Sequence, residues 1–319
     1  MPVAACDLMH AIEINGLGKR YRAGFWHNQE KTALRDLSLT VEEGEVFGCL
    51  GPNGAGKTTT LKLLMGLTRP SSGSARILGM DFRDPRVKSQ IGFLPEQPYF
   101  YDYLTASELL LYYAHLSGLS DPAAQVAAML KRVSLEDAAH RQLRKFSKGM
   151  LQRLGLAQAI LHDPRLVFLD EPMSGLDPIG RREVRDLIQE LKDAGKTVFF
   201  STHILSDAEA LCDRVAVLHH GELRGIKVVG DLIKQAQGEV EIIWEGEQAL
   251  SGIRELSGDA HAAVQAGGNL RATIAEAQLN AAIDRLRAHN ARLVSVTPVR
   301  GTLEEFFAAS LGLPGETAP

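Results

Sequence analysis

The chain has 319 residues, 45% of them hydrophobic, enough to bury one large core and a smaller second one, so two domains are expected. A formal net charge of −4 with no long Lys/Arg stripe removes any global bias toward nucleic acid and leaves only local basic patches open. The three cysteines, Cys6, Cys49 and Cys212, lack the spacing of a disulfide framework or a zinc site, no apolar run approaches the roughly 18 residues of a membrane span, and the N-terminus has no signal core, so the chain is expected in the cytoplasm with any membrane role supplied by a partner.

Glu45 to Leu50 predicts a short buried strand, with Cys49 as a small core residue rather than a reactive thiol. Gly51-Pro52-Asn53-Gly54-Ala55-Gly56-Lys57-Thr58-Thr59 follows, and Thr58 to Leu67 predicts a helix. A Gly-rich loop between strand and helix aims backbone N–H groups and a helix N-terminus at phosphates, so ATP or GTP is the expected ligand. Lys57 is then a point charge for the β- and γ-phosphates, the Thr58 hydroxyl is a ligand for Mg²⁺, and Thr59 bonds an α-phosphate oxygen. A Gly-rich turn with a chance lysine would lack both the spacing and the flanks.

From about residue 98 to 150 short strands give way to helices. Thr105-Ala106-Ser107-Glu108 is a capping-box sequence ahead of Leu109 to Tyr113. Ser147 and Gly149 suit an anion, one as a hydroxyl at a helix N-cap and the other as backbone with no side chain in the way, and the helix they open runs through Leu151 to Ala159. Arg165 to Leu169 is an apolar strand that delivers Asp170 and Glu171 to its carboxyl end, where open α/β sheets bind ligands. Asp170 is placed for the Mg²⁺ shell and Glu171 to accept a proton from attacking water. Ser174-Gly175-Leu176-Asp177-Pro178 comes next, with Asp177 readable as a turn residue before a helix. Thr197 to Phe200 is a further apolar strand that returns His203 to the same sheet edge. The pair His219 and His220 sits at a predicted hairpin turn without ligand spacing.

Past about residue 230 the pattern changes again. Glu239 to Trp244, Asn269 to Ile274 and Leu293 to Thr297 predict strands, and Ala277 to His289 an amphipathic helix, with Ile274, Leu279, Ala282, Ile283 and Leu286 near helical spacing. A small α/β domain of about ninety residues is expected there, closed by Gly301 to Phe307.

Taken together and in this order, residues 10 to 230 resemble the nucleotide-binding subunit of ATP-binding cassette (ABC) transporters. The glutamine of that family's Q-loop matches Gln97 in Gly92-Phe93-Leu94-Pro95-Glu96-Gln97, its signature matches Phe146-Ser147-Lys148-Gly149-Met150, and its switch histidine matches His203. Its adenine-stacking aromatic matches Tyr21, with Phe25 and Trp26 as nearby competitors.

The resemblance implies an α/β fold: a phosphate-loop ABC ATPase core over 1–230, with an antiparallel β subdomain and a helical subdomain at about 98–150, then a small accessory domain over 231–319. It implies ATP and Mg²⁺ as cofactors, Gln97 beside Glu171 and His203 in catalysis, and Thr58, Gln97 and Asp170 around the metal. It also implies a second ABC ATPase subunit, identical or related, whose triphosphate meets Ser147, Lys148 and Gly149, with Asp177 at the dimer seam.

The signature departs from the common Leu-Ser-Gly-Gly-Gln by Lys148 and Met150, which resembles bacterial type-2 exporters whose soluble ATPase pairs with a separate permease. Lys148 either adds positive charge beside the γ-phosphate or the neighbouring subunit, or is a solvated lysine. Tyr99, Phe100, Tyr101 and Tyr103 fall where a cytoplasmic helix of the permease is received, or else pack between lobes. The chain is thus expected at the inner face of the cell membrane through that permease, with no nucleic-acid partner. An ABC ATPase serving a ribosome or DNA would carry two cassettes or a long coiled coil. A non-hydrolysing module would not carry Lys57, Asp170, Glu171 and His203 together.

Overall fold

The computed structural model describes residues 10–23, 29–231, 239–246, 253, 263–264, 269–298 and 302–312. The chain divides into two compact units, 1–227 and 228–319.

The first unit is built on a six-stranded sheet. Its order is β10 (Glu222–Val228), β9 (Arg214–His219), β3 (Val46–Leu50), β8 (Thr197–Thr202), β7 (Leu166–Asp170) and β6 (Ile91–Leu94). The pairs from β9 to β6 are parallel. Every residue of β3, β7 and β8 is buried, which is why these strands read as continuous apolar runs rather than alternating ones. Phe199 holds the centre of the core, stacked on Phe47 at 5.5 Å and tilted against Phe168 at 5.9 Å.

A second, antiparallel sheet has the order β2 (Gln29–Glu42), β1 (His10–Ala23), β4 (Ser72–Ile77) and β5 (Met80–Asp81). Its buried residues Ile12, Leu17 and Leu34 share one core with Phe47, Phe168 and Leu218 of the large sheet. Burying each such side chain contributes about 1.5–3 kcal/mol, which fixes the two sheets against each other. The helix α1 (Lys57–Leu64) follows β3, and the single-turn α2 (Pro85–Lys88) precedes β6.

The helical lobe comprises α3 (Ala106–Leu116), α4 (Pro122–Arg132) and α5 (Lys148–Ile160). The expected capping box is present: Thr105 Oγ1 accepts from Glu108 N, and the Glu108 carboxylate accepts from Thr105 N. After β7 come α6 (Pro178–Asp193) and, after β8, α7 (Leu205–Leu211). His220 lies in the turn between β9 and β10 with φ +50°, as the hairpin expectation required.

The second unit contains an antiparallel sheet, β12 (Ala263–Val264), β13 (Asn269–Ala275), β11 (Glu239–Glu245) and β14 (Arg292–Pro298), with α8 (Leu279–Ala288) and α9 (Leu303–Leu311). Val240, Ile242 and Trp244 of β11 pack with Leu270 and with Ala282 and Leu286 of α8. Three expectations shift. The stretch Glu276–Gln278 is a 3₁₀ turn ahead of α8, and Ile274 belongs to β13 rather than to the helix face. In the first unit the helix after the phosphate loop ends at Leu64, not Leu67, because Gly66 takes φ +66°.

Candidate functional site

The loop between β3 and α1 owes its shape to glycine. Gly56 caps α1 with φ 113°, and a Cβ there would fall 2.9 Å from the carbonyl oxygen of Ala33, so no other residue fits without displacing β2. Ala55 N donates to Pro52 O at 3.1 Å, and Gly221 N, from the β9–β10 turn, donates to Ala55 O at 2.9 Å. The loop is therefore held on itself and braced from behind.

Lys57 is 6% exposed, and its Nζ donates to Gly51 O at 2.7 Å and Pro52 O at 3.3 Å. It also lies 3.3 Å from Glu171 Oε1. Thr58 Oγ1 donates to Asp170 Oδ1 at 3.1 Å, and Ser201 Oγ donates to the same oxygen at 2.6 Å. Ser201 Oγ in turn accepts from Glu171 N at 3.0 Å. Burial pushes the Asp170 carboxyl above its ordinary value, and the bonds from Ser201 and Thr58 pull against that rise. His203 Nδ1 sits 2.8 Å from Glu171 Oε2. Glu171 thus bridges a lysine and a histidine, and Cys49 lies under them, its thiol pushed by burial to about 12 and so inert.

Lys57, Thr58, Glu171 and His203 line one cavity of about 480 Å³ together with Tyr21, Asn53 and Thr59, while Asp170 is tied to it through its bond from Thr58. That volume lies in the range of nucleotide-sized ligand sites. Tyr21 forms a wall on β1, 37% exposed, with Lys19 Nζ 4.8 Å from its ring centroid. Phe25 and Trp26 lie outside the described residues.

The structure does not gather every expected residue. Gln97 is exposed just after β6 and stays off the cavity lining, where Glu96 stands instead. Gly51, Pro52, Asp170, Ser147, Lys148, Gly149 and Asp177 are also off the lining. Ser147 Oγ caps α5 by accepting from Met150 N at 3.3 Å, and Asp177 Oδ1 caps α6 by accepting from Gly180 N at 3.0 Å. Lys148 is exposed and its stem lies over the loop after Glu171, with Cε 3.0 Å from where a Cβ on Gly175 would be. Sequence reading assigned no role to Ser201, Ser174, Glu96 or Lys31. Ser201 had a usable signal: it ends an apolar strand beside the strand ending in Asp170, and the β7–β8 register sets those two residues opposite each other.

Residues 34–174 match the family model described as ABC transporter. An uncharacterized ABC transporter ATP-binding protein of Synechocystis sp. (strain PCC 6803) is 43% identical over 317 residues, covering 97% of this chain and 86% of that protein. The fluoroquinolones export ATP-binding protein of Mycobacterium tuberculosis is 39% identical over 241 residues, 74% of this chain and 77% of that one. Among solved structures, a dimeric ATP-binding cassette in a post-hydrolysis state bound to ADP and Pi matches with a TM-score of 0.63 and 25% identity, over 68% of this chain and 98% of that one.

Proposed function

Because this chain belongs to the family of ABC transporter ATP-binding proteins, and so binds and hydrolyses ATP, we propose that it is the ATPase subunit of an exporter, working as a pair of cassettes on a separate membrane permease. The observation that carries the reading is the cavity lined by Lys57, Thr58, Glu171 and His203, with Asp170 bonded to Thr58 beside it.

In this reading the triphosphate enters over the phosphate loop and takes Lys57 from its bonds to Gly51 O, Pro52 O and Glu171. Glu171, released from Lys57, accepts the proton of the attacking water as its oxygen bonds to the γ-phosphorus and the bond to the β-bridging oxygen breaks. ADP and phosphate are the products. His203, anchored on Glu171 at 2.8 Å, holds the carboxylate in line and bonds the γ-phosphate. Tyr21 stacks on the adenine.

The Thr58 hydroxyl and the Asp170 carboxylate, 3.1 Å apart, form a hard-oxygen pair that suits Mg²⁺, and Gln97 joins them in this reading when the segment after β6 closes over the cavity. When bound, the ion neutralises charge on the phosphate oxygens. Ser147 and Lys148, exposed, and Gly149, half-buried, at the positive end of the 13-residue helix α5, are assigned to the triphosphate held by the second subunit, and Asp177 to the seam between the two. Tyr99, Tyr101 and Tyr103, 96%, 60% and 61% exposed, are assigned to the permease. Through it the chain works at the inner face of the membrane.

The test is chromatography of the full chain with and without a non-hydrolysable ATP analogue, alongside purification from membranes. Doubling of mass on adding the analogue and recovery with an integral membrane protein are expected. A monomer at saturating analogue, or recovery with ribosomes instead, overturns the reading.

A further inference from the structure

Two of the loops given roles above, those of Asp177 and His203, run straight into helices that pack on each other. Asp177 is the N-cap of α6, and His203 stands two residues ahead of α7. The link between these helices is Asp207 of α7, a carboxylate with no exposure at all. Its Oδ1 accepts both bonds from Arg185 of α6, one from Nε at 3.1 Å and one from Nη2.

The pairing is incomplete. Asp207 Oδ2 is buried without a hydrogen-bond partner, and so is Nε of Arg181, which lies one turn before Arg185 on the same face of α6. A carboxyl oxygen and a guanidinium N–H left unmet in one helix pair are costly in a low-dielectric interior, and one is an acceptor where the other is a donor. Nothing in the hydrolytic cavity requires a buried acid at this place. Its position suits a part that ties one loop to the other.

We infer that Asp207 is a positioning residue for hydrolysis, held by Arg185 in the nucleotide-free chain and by Arg181 as well once two chains close on ATP, so that the Asp177 loop and His203 move as one body. The inference rests on the roles proposed above for His203 and Asp177. In the closed state α6 advances on α7 by the fraction of a turn that brings Arg181 Nε onto Asp207 Oδ2. The imidazole then reaches the γ-phosphate only when the loop carrying Asp177 has reached the other subunit.

The experiment measures ATP turnover, KM for ATP and melting temperature of the full chain as wild type, Arg181→Gln, Asp207→Asn and Glu171→Gln. Because Arg181 Nε bonds nothing in the nucleotide-free chain, R181Q is expected to keep its melting temperature and its KM within twofold while kcat falls at least fivefold. D207N, which keeps the shape but loses the charge, is expected to lose kcat more than KM. R181Q turning over within twofold of wild type overturns the inference, as does a D207N chain whose kcat, KM and melting temperature change in step. Glu171→Gln keeps the failures apart: its loss of turnover beside an intact R181Q overturns the pairing alone, whereas turnover retained by E171Q removes the ground from both readings.

Discussion

Glu171 is the residue on which the site turns, and its backbone is strained. It is one of the few described non-glycine residues in the left-handed region, with φ +49°, a conformation that costs roughly 1–2 kcal/mol for an L-residue. The bend carries its carboxylate from the end of β7 back to Lys57 and His203. That carboxylate is paired with Lys57, both partners being less than 9% exposed, and in the proposed mechanism an incoming phosphate has to displace it. Glu171→Gln is therefore expected to tighten ATP binding by about tenfold, or ~1.4 kcal/mol, while slowing turnover by roughly 10² to 10⁴. Equal affinity of the two chains in equilibrium dialysis would remove the competition from the account. Asp170 makes a separate prediction from its raised pKa. A carboxyl whose folded value lies above its unfolded one favours folding while protonated, at pH below about 4, and that contribution is lost as pH rises through the raised value. Asn at this position keeps an oxygen to accept from Ser201 and Thr58 and carries no charge. Asp170→Asn should thus melt at a higher temperature than wild type at pH 7 in the absence of nucleotide, and the gap should close toward pH 4 in a melting series.

Among the elements, the phosphate loop depends on parts of the chain far from it in sequence. Gly221, with φ +80°, donates to Ala55 O and accepts from Arg35 N at 2.7 Å, so the β9–β10 turn clasps both the loop and β2. A Cβ at Gly221 would fall 2.7 Å from Ala33 O, against backbone that cannot swing aside. Gly221→Ala is expected to weaken ATP binding tenfold or more through a shifted Ala55 carbonyl, with a loss of about 1–2 kcal/mol in stability from the left-handed strain alone. Isothermal titration with ATP beside thermal melting separates the two effects, and unchanged affinity would show that the brace is irrelevant to the loop. The helices that start at Ser147 and Asp177 obey a more local rule, since each is capped by its own side chain three residues ahead of the N–H it accepts.

For the whole molecule, the question is what covers its aromatic face. Tyr101 and Tyr103 lie with ring centroids 5.8 Å apart and both stand more than half exposed, beside Tyr99. Such patches mark interaction sites when they are contiguous. Changing Tyr101 and Tyr103 together to Ser is expected to lower recovery of the membrane partner at least tenfold without moving the melting temperature. Full recovery of the partner would show that the permease docks elsewhere. Among the described residues no helix is long and apolar enough to cross a membrane.

Where geometry is local, the amino-acid order was enough to read it. Glycines and a lysine on one short loop specify the turn from strand to helix on which the proposed phosphate site rests, because backbone conformation and a helix start depend only on adjacent residues, and the strands β3, β7 and β8 were legible as unbroken apolar runs because both of their faces are covered. Tertiary structure alone decided which of these pieces meet. Thr58 and Asp170 stand 112 positions apart in the chain yet share a hydrogen bond, and Ser201 joins Asp170 to Glu171, because the order and register of the parallel strands bring their carboxyl ends to one edge. The same holds for Asp207, which reads as an ordinary polar residue in a short helix. Its burial beneath Arg185, with one oxygen unmet, follows only from how α6 lies on α7, a packing that no spacing in the sequence encodes.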